Sequence, residues 1–380
     1  MAINTGFNGN EIFCLSKKGY TPGELVIGNS VWSVGFMGGI GQALKTIGGG
    51  EVTQITDIIH DGRKAALDRM EAWTGLNGAV GISGVTSELV LHSGNIEFLS
   101  IGSAVHREGV NATALEFTSS SDGQEIYCQL DCGYRPISFA FGNVAYSIGL
   151  GGGIMGGFRS LARGEVTEYS DIFYHTRHLA LERIQNEAKA KGANCVVGIK
   201  TNIMKFSGLQ EMVMLGTASH CDFYGPSYEE RPATSDLTCE EMWNMIHCGY
   251  LPLELVLGVS VYSLGFVGGI TAAFKSLVRG EIEELTTLVY DARENALHRL
   301  MEHAVEAGAD DVVGIKTYVY ELGGGIIEFL AIGTAVKKVS GLKTVSDSLP
   351  PQAVMSDKDT FINLADSKVG VNLNEGRKGR

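Results

Sequence analysis

Apolar, β-branched residues run almost unbroken from Leu255 to Ser263, the pattern of a buried strand. From about 282 to 307 the spacing changes. Leu285, Leu288, Val289, Ala292, Ala296, Leu300 and Ala304 fall at three- and four-residue steps, which predicts a helix with one apolar stripe facing a sheet. Gly308 is placed to end it. A second strand is predicted from Asp311 through Tyr320, a turn at Gly323–Gly325, and an antiparallel third strand over Ile326–Val336. The segment therefore reads β-α-β-β, a three-stranded sheet crossed by one long helix.

The same pattern occurs three times. Gly19-Tyr20 recurs as Gly133-Tyr134 and Gly249-Tyr250, Gly50-Glu51 as Gly164-Glu165 and Gly280-Glu281, and Gly102 as Gly216 and Gly333. Gly81-Ile82 is read as the counterpart of Gly198-Ile199 and Gly314-Ile315. Offsets of 114 to 117 residues suit a whole small domain rather than a solenoid unit. The expected fold class is α+β, with tandem domains at 1–106, 124–222 and 238–338. Ser-, Thr- and charge-rich linkers are expected at 107–123 and 223–237, and a polar flexible tail at 339–380. Such a sheet leaves edges and a face uncovered. The final strands (95–105, 210–218 and 326–336) carry no Lys to protect an edge, which points to assembly.

Composition narrows the function. Acidic residues exceed basic ones by 43 to 30, for a net charge of -13, and no Lys/Arg-rich block suggests nucleic acid. Residues 1–10 have no basic region followed by an apolar run, so they do not read as a secretory signal. Seven scattered cysteines do not look like a disulfide framework, and a cytoplasmic location is expected. Glycine, 51 of 380 residues, is about twice its usual share.

The run from Arg279 through Tyr290, Arg293, Leu297, Ala307, Asp310 and Gly314 to Val336 resembles the YbjQ family, also called the heavy-metal-binding domain. The second copy matches at Arg177, Leu181, Ala193, Gly198 and Ala218, the first at Arg63, Leu67 and Gly81-Ile82. The resemblance covers about 300 residues. It implies β-α-β-β domains, similar to dodecin subunits, whose single-domain members form pentameric rings.

Candidate chemistry falls into four groups. Metal ligation suggests Cys128 with Cys132, and Cys248 beside His247, but zinc sites want four ligands and these pairs do not repeat across the copies. Glu97, Glu211 and Glu328 occupy one position in the last strand, on an apolar face by alternation. Each needs a partner or a proton. Arg63, Arg177 and Arg293, at one helix position, are the obvious partners, across helix and sheet or between neighbours. A cation-binding ring of these carboxylates is the alternative. Glycine loops (Gly35, Gly38, Gly39; Gly149, Gly152, Gly153; Gly265, Gly268, Gly269) suit either tight packing or an anion cradled on backbone amides. Uncharged runs at 25–44, 137–158 and 255–274 reach membrane-spanning length but open as strands, so peripheral membrane contact is kept and spanning is not. No nucleophile repeats with the carboxylates. The expectation is a non-enzymatic, ring-forming scaffold or binding shell with no cofactor, a homo-pentamer of stacked domain layers. The alternative is a ring that sequesters a metal ion or small anion.

Overall fold

A computed structural model describes residues 4–33, 50–92, 95–147, 164–206, 209–263, 283–323 and 326–355. The first unit contains α1 (Gly9–Lys17), β1 (Thr21–Ser33), β2 (Gly50–Glu51), α2 (Thr53–Leu76), β3 (Gly81–His92) and β4 (Asn95–His106), and its sheet is extended by β5 (Phe117–Thr118). The second contains α3 (Gly123–Asp131), β6 (Tyr134–Ser147), β7 (Gly164–Glu165), α4 (Thr167–Ala190), β8 (Cys195–Phe206) and β9 (Leu209–Cys221), followed by α5 (Ser227–Glu230) and β10 (Ala233–Thr234), which extends its sheet. The third contains α6 (Cys239–His247), β11 (Tyr250–Ser263), α7 (Glu283–Glu306), β12 (Asp311–Gly323) and β13 (Ile326–Lys338). A short helix, α8 (Pro351–Val354), follows.

Each unit is the expected α+β sheet with one long helix. Its strands are antiparallel and run β1-β4-β3, β6-β9-β8 and β11-β13-β12. The hairpin's second strand is thus central. Its lack of Lys reflects that position, and the edge reading is corrected. The long helix lies close on its sheet where a glycine makes room. A Cβ at Gly28, Gly142 or Gly258 would sit 2.2, 2.2 or 2.0 Å from the carbonyl oxygen of Ala66, Ala180 or Ala296.

A register error in the sequence reading also comes to light. The β-bulge glycines in the left-handed region are Gly84, Gly198 and Gly314, with φ of +66°, +63° and +67°. The counterpart of Gly198-Ile199 is therefore Gly84-Val85, not Gly81-Ile82. Only a residue tolerant of positive φ fits that bulge.

A short helix opens every unit, and sequence reading passed over it. Its signal is a capping box in each copy: Asn8 with Glu11, Asp122 with Glu125, and Thr238 with Glu241.

The segments read as linkers are built into the sheets. β5 pairs in parallel with β3, and β10 with β8. Ser119 and Ser121 are buried, and the Ser119 hydroxyl shares a 2.9 Å hydrogen bond with Thr217. Their hydroxyls serve inter-unit bonds rather than solvent.

The first part of the tail is also ordered. Residues 339–355 run back over the short helices as a strap. Thr344 bonds His247 on α6, Ser346 bonds Asp131 on α3, and Asn10 on α1 donates to the Met355 carbonyl. Ala353 is buried against these helices.

Candidate functional site at the seams between units

The long helices of the first and second units each lie between their own sheet and the outer face of the next. Ile55, Ile59 and Ala66 of α2 pack on Ile96 and Phe98 of their own unit and on Ala145 and Leu209 of the second. The units therefore stand side by side through one repeated lateral contact.

The two seams match bond for bond. Gly50 and Glu51 of β2 pair with Ser147 and Tyr146 of β6. Gly164 and Glu165 of β7 pair with Ser263 and Tyr262 of β11. Val52 N–H donates to the Ala145 carbonyl, and Val166 N–H to the Val261 carbonyl, both at 2.8 Å. Phe139 N–H donates to Thr118 Oγ1 and Leu255 N–H to Thr234 Oγ1, both at 2.9 Å. Glu51 meets Arg183 at 2.7 Å, and Glu165 meets Arg299 at 2.6 Å. The Gly-Glu dipeptide served only as a repeat marker in the sequence, although its carboxylate is the residue that crosses the seam.

Buried ion pairs lie at the centre of each seam. Arg63 Nη2 donates to Glu211 Oε2 at 2.9 Å and its Nη1 to the Ser87 carbonyl at 2.7 Å. Arg177 donates from Nε and Nη2 to Glu328 Oε1 at 3.1 and 2.8 Å, and from Nη2 to Oε2 at 2.8 Å. All four side chains are at most 1% exposed. Tyr146 lies 4.6 Å beneath the Arg177 guanidinium. Burial pushes the Glu328 carboxyl up from its ordinary value, and Arg177 pulls it back. The bidentate geometry favours the ionised pair.

The sequence named the right residues, but the pairing runs from each unit to the next. Strand alternation puts the glutamate on the sheet face away from its own helix, so its own arginine cannot reach it. The chain therefore ends with two members unmatched. Glu97 takes His92 at 2.7 Å and Asn29 at 3.1 Å, contacts that lower its pKa. Arg293 is exposed and lies over Phe329 at 5.8 Å. Among the described residues no carboxylate pairs with it.

A third constellation holds all three units, and no sequence signal marked it. Buried Asp131 accepts from Lys18 Nζ of the first unit and Trp243 Nε1 of the third, both at 2.8 Å. It also accepts from Ser346 Oγ of the strap at 2.9 Å. Burial raises its pKa, but these donors outweigh it and the net shift is downward.

Cys128 and Cys132 are buried, and desolvation pushes both thiols well up, Cys132 while donating to the Cys128 carbonyl at 3.0 Å. Protonated thiols are poor metal ligands. Cys248 is exposed. Among the described residues no three His, Cys, Asp or Glu side chains gather as a metal site. Glu211 and Glu328 are occupied by arginine, so the carboxylate ring does not form among them.

Two cavities open at the second seam. One of about 690 Å³ lies between α4 and α7, beside Tyr174, His298 and His303. The other, about 250 Å³, is lined by Lys200, Lys316, Glu125 and Asp236, a balanced set of charges. The glycine loops at Gly35–Gly39, Gly149–Gly153 and Gly265–Gly269 lie outside the described residues. No described helix is long and apolar enough to cross a membrane.

Fold and seams together define a tandem α+β protein made of three self-complementary units. Residues 19–108, 134–222 and 251–339 match the YbjQ family, described as "Putative heavy-metal-binding". The chain belongs to this family. An encapsulin nanocompartment protein of Mycobacterium tuberculosis is 31% identical over 208 residues, spanning 52% of this chain and 77% of that protein. A UPF0145 protein of Methanoregula boonei is 47% identical over 84 residues, 22% of this chain and 70% of its own. Another, from Saccharolobus islandicus, is 44% identical over 85 residues, 22% of this chain and 75% of its own.

Proposed function

We propose that the chain is a non-catalytic building block, a scaffold or shell subunit that works by self-association. The observation that carries this reading is the fate of the repeated charged residues. In both internal seams they are buried in ion pairs that hold units together, where a substrate cannot reach them. The similarity to a protein named for a nanocompartment supports a shell-like role. A cytoplasmic setting suits seven unpaired cysteines. The heavy-metal description of the family receives no support from the buried thiols.

Native mass spectrometry of the purified protein, with elemental analysis and extraction of bound small molecules, tests the reading. A multi-copy particle without stoichiometric metal or ligand is expected. A metal or small molecule bound once per chain would overturn it in favour of a storage or sequestering role.

A further inference from the structure

Both halves of the seam recur on the first and third units, where no further unit covers them among the described residues. The outer face of the first unit carries Ile27 and Val31 at 56% and 59% exposure. Their counterparts are Phe141 and Ala145 in the second unit and Leu257 and Val261 in the third, all at 1% or less. At the other end, Tyr290 and Ile315 are 61% and 43% exposed. Their counterparts in the second unit, Tyr174 and Ile199, lie in the apolar core that continues into the third unit. Glu97 stands on the first face and Arg293 beside the second. Scattered exposed apolar residues mean little. These four positions are a different observation, since their counterparts are buried or half-buried at both internal seams and the unmatched charges stand among them.

We infer that the occupant of each face is a second copy of this chain, docked head to tail. This rests on the self-association reading and names its surface. Arg293 of one copy takes Glu97 of the next, displacing Asn29 and His92, while Tyr290 covers Ile27 as His60 covers Phe141 at 4.9 Å within the chain. The joint continues an interface the chain already makes twice, and its charges are complementary. Such a heterologous contact closes into a ring or runs on as a filament. A ring of whole chains holds a multiple of three units, so five units around one ring are excluded, and two chains make the smallest such ring.

The test uses charge reversal at the open ends, which leaves both internal ion pairs untouched. Full-length wild type, Arg293→Glu, Glu97→Arg and the double variant are weighed by light scattering across a dilution series. Each single variant should weaken association on the order of 100-fold, and the double variant should recover it. Ile27→Asp, on the apolar face, should weaken it independently of charge, and circular dichroism checks that each variant is folded. Wild-type particles unchanged by all three single substitutions would overturn the head-to-tail surface while leaving the scaffold reading in place. A wild-type monomer throughout the series would overturn both.

Discussion

Arg177 and Arg293 occupy the same position on equivalent helices, yet replacing each by Met should give very different results. Arg177→Met removes three charge-assisted hydrogen bonds and leaves Glu328 at 0% exposure with no cation beside it. Stranding a buried charge in this way costs about 3–5 kcal/mol. Loss of the stacking on Tyr146 adds to that by about 1 kcal/mol. Arg293 is exposed over Phe329, so its replacement should change the stability of the isolated chain by no more than about 0.5 kcal/mol. Urea unfolding followed by circular dichroism, at concentrations where chains are separate, measures both. The Arg177→Met deficit should also shrink in acid. Without its arginine, Glu328 has a folded pKa raised further above its unfolded value. Stability is then greatest below the unfolded pKa and is lost as pH rises through the folded one. Arg177→Met combined with Glu328→Leu should recover most of the loss. Equal effects of Arg177→Met and Arg293→Met would refute the reasoning, since the internal pair would then contribute no more than an exposed arginine.

Glu187, which accepts from Phe141 N–H at 2.9 Å, has its pKa raised by burial to about 7. Its contribution is therefore full below about 4.5 and lost as pH rises toward 7, so Glu187→Gln should raise stability at pH 8, on the order of 1 kcal/mol, and change little at pH 4. Asp131→Asn should cost about 2–4 kcal/mol by weakening the bonds to Lys18, Trp243 and Ser346. Faster amide exchange over residues 343–355 would report the freed strap, and unchanged exchange would show that the strap is held elsewhere. Gly142→Ala should lower the thermal midpoint sharply, since its Cβ would meet the Ala180 carbonyl at 2.2 Å, whereas Gly75→Ala, with open space around it, should not.

The unit itself was readable from the chain because strand and helix periodicities are local, and three copies show the same pattern. Which glutamate an arginine meets was not. Alternation places Glu97, Glu211 and Glu328 on one face, but only the topology shows that a neighbour's helix covers it. Asp131 was illegible for another reason. Its counterparts are Lys17 and His247, so no repeated residue type marks the position. The supposed linkers were misread because serines that look solvent-seeking in sequence are satisfied by Thr217 and Thr334 of the following unit.

The shared cores have a consequence for synthesis. Val26, Leu67 and Met70 of the first unit share one buried core with Phe139, Phe141, Val213 and Leu215, which lie in the second. A chain emerging from the ribosome in order cannot close its first core until the second sheet has been made, and the same dependence passes from the second to the third. Maturation is thus vectorial, each unit completing its predecessor, and the strap reaches α1 only after all three units have been made.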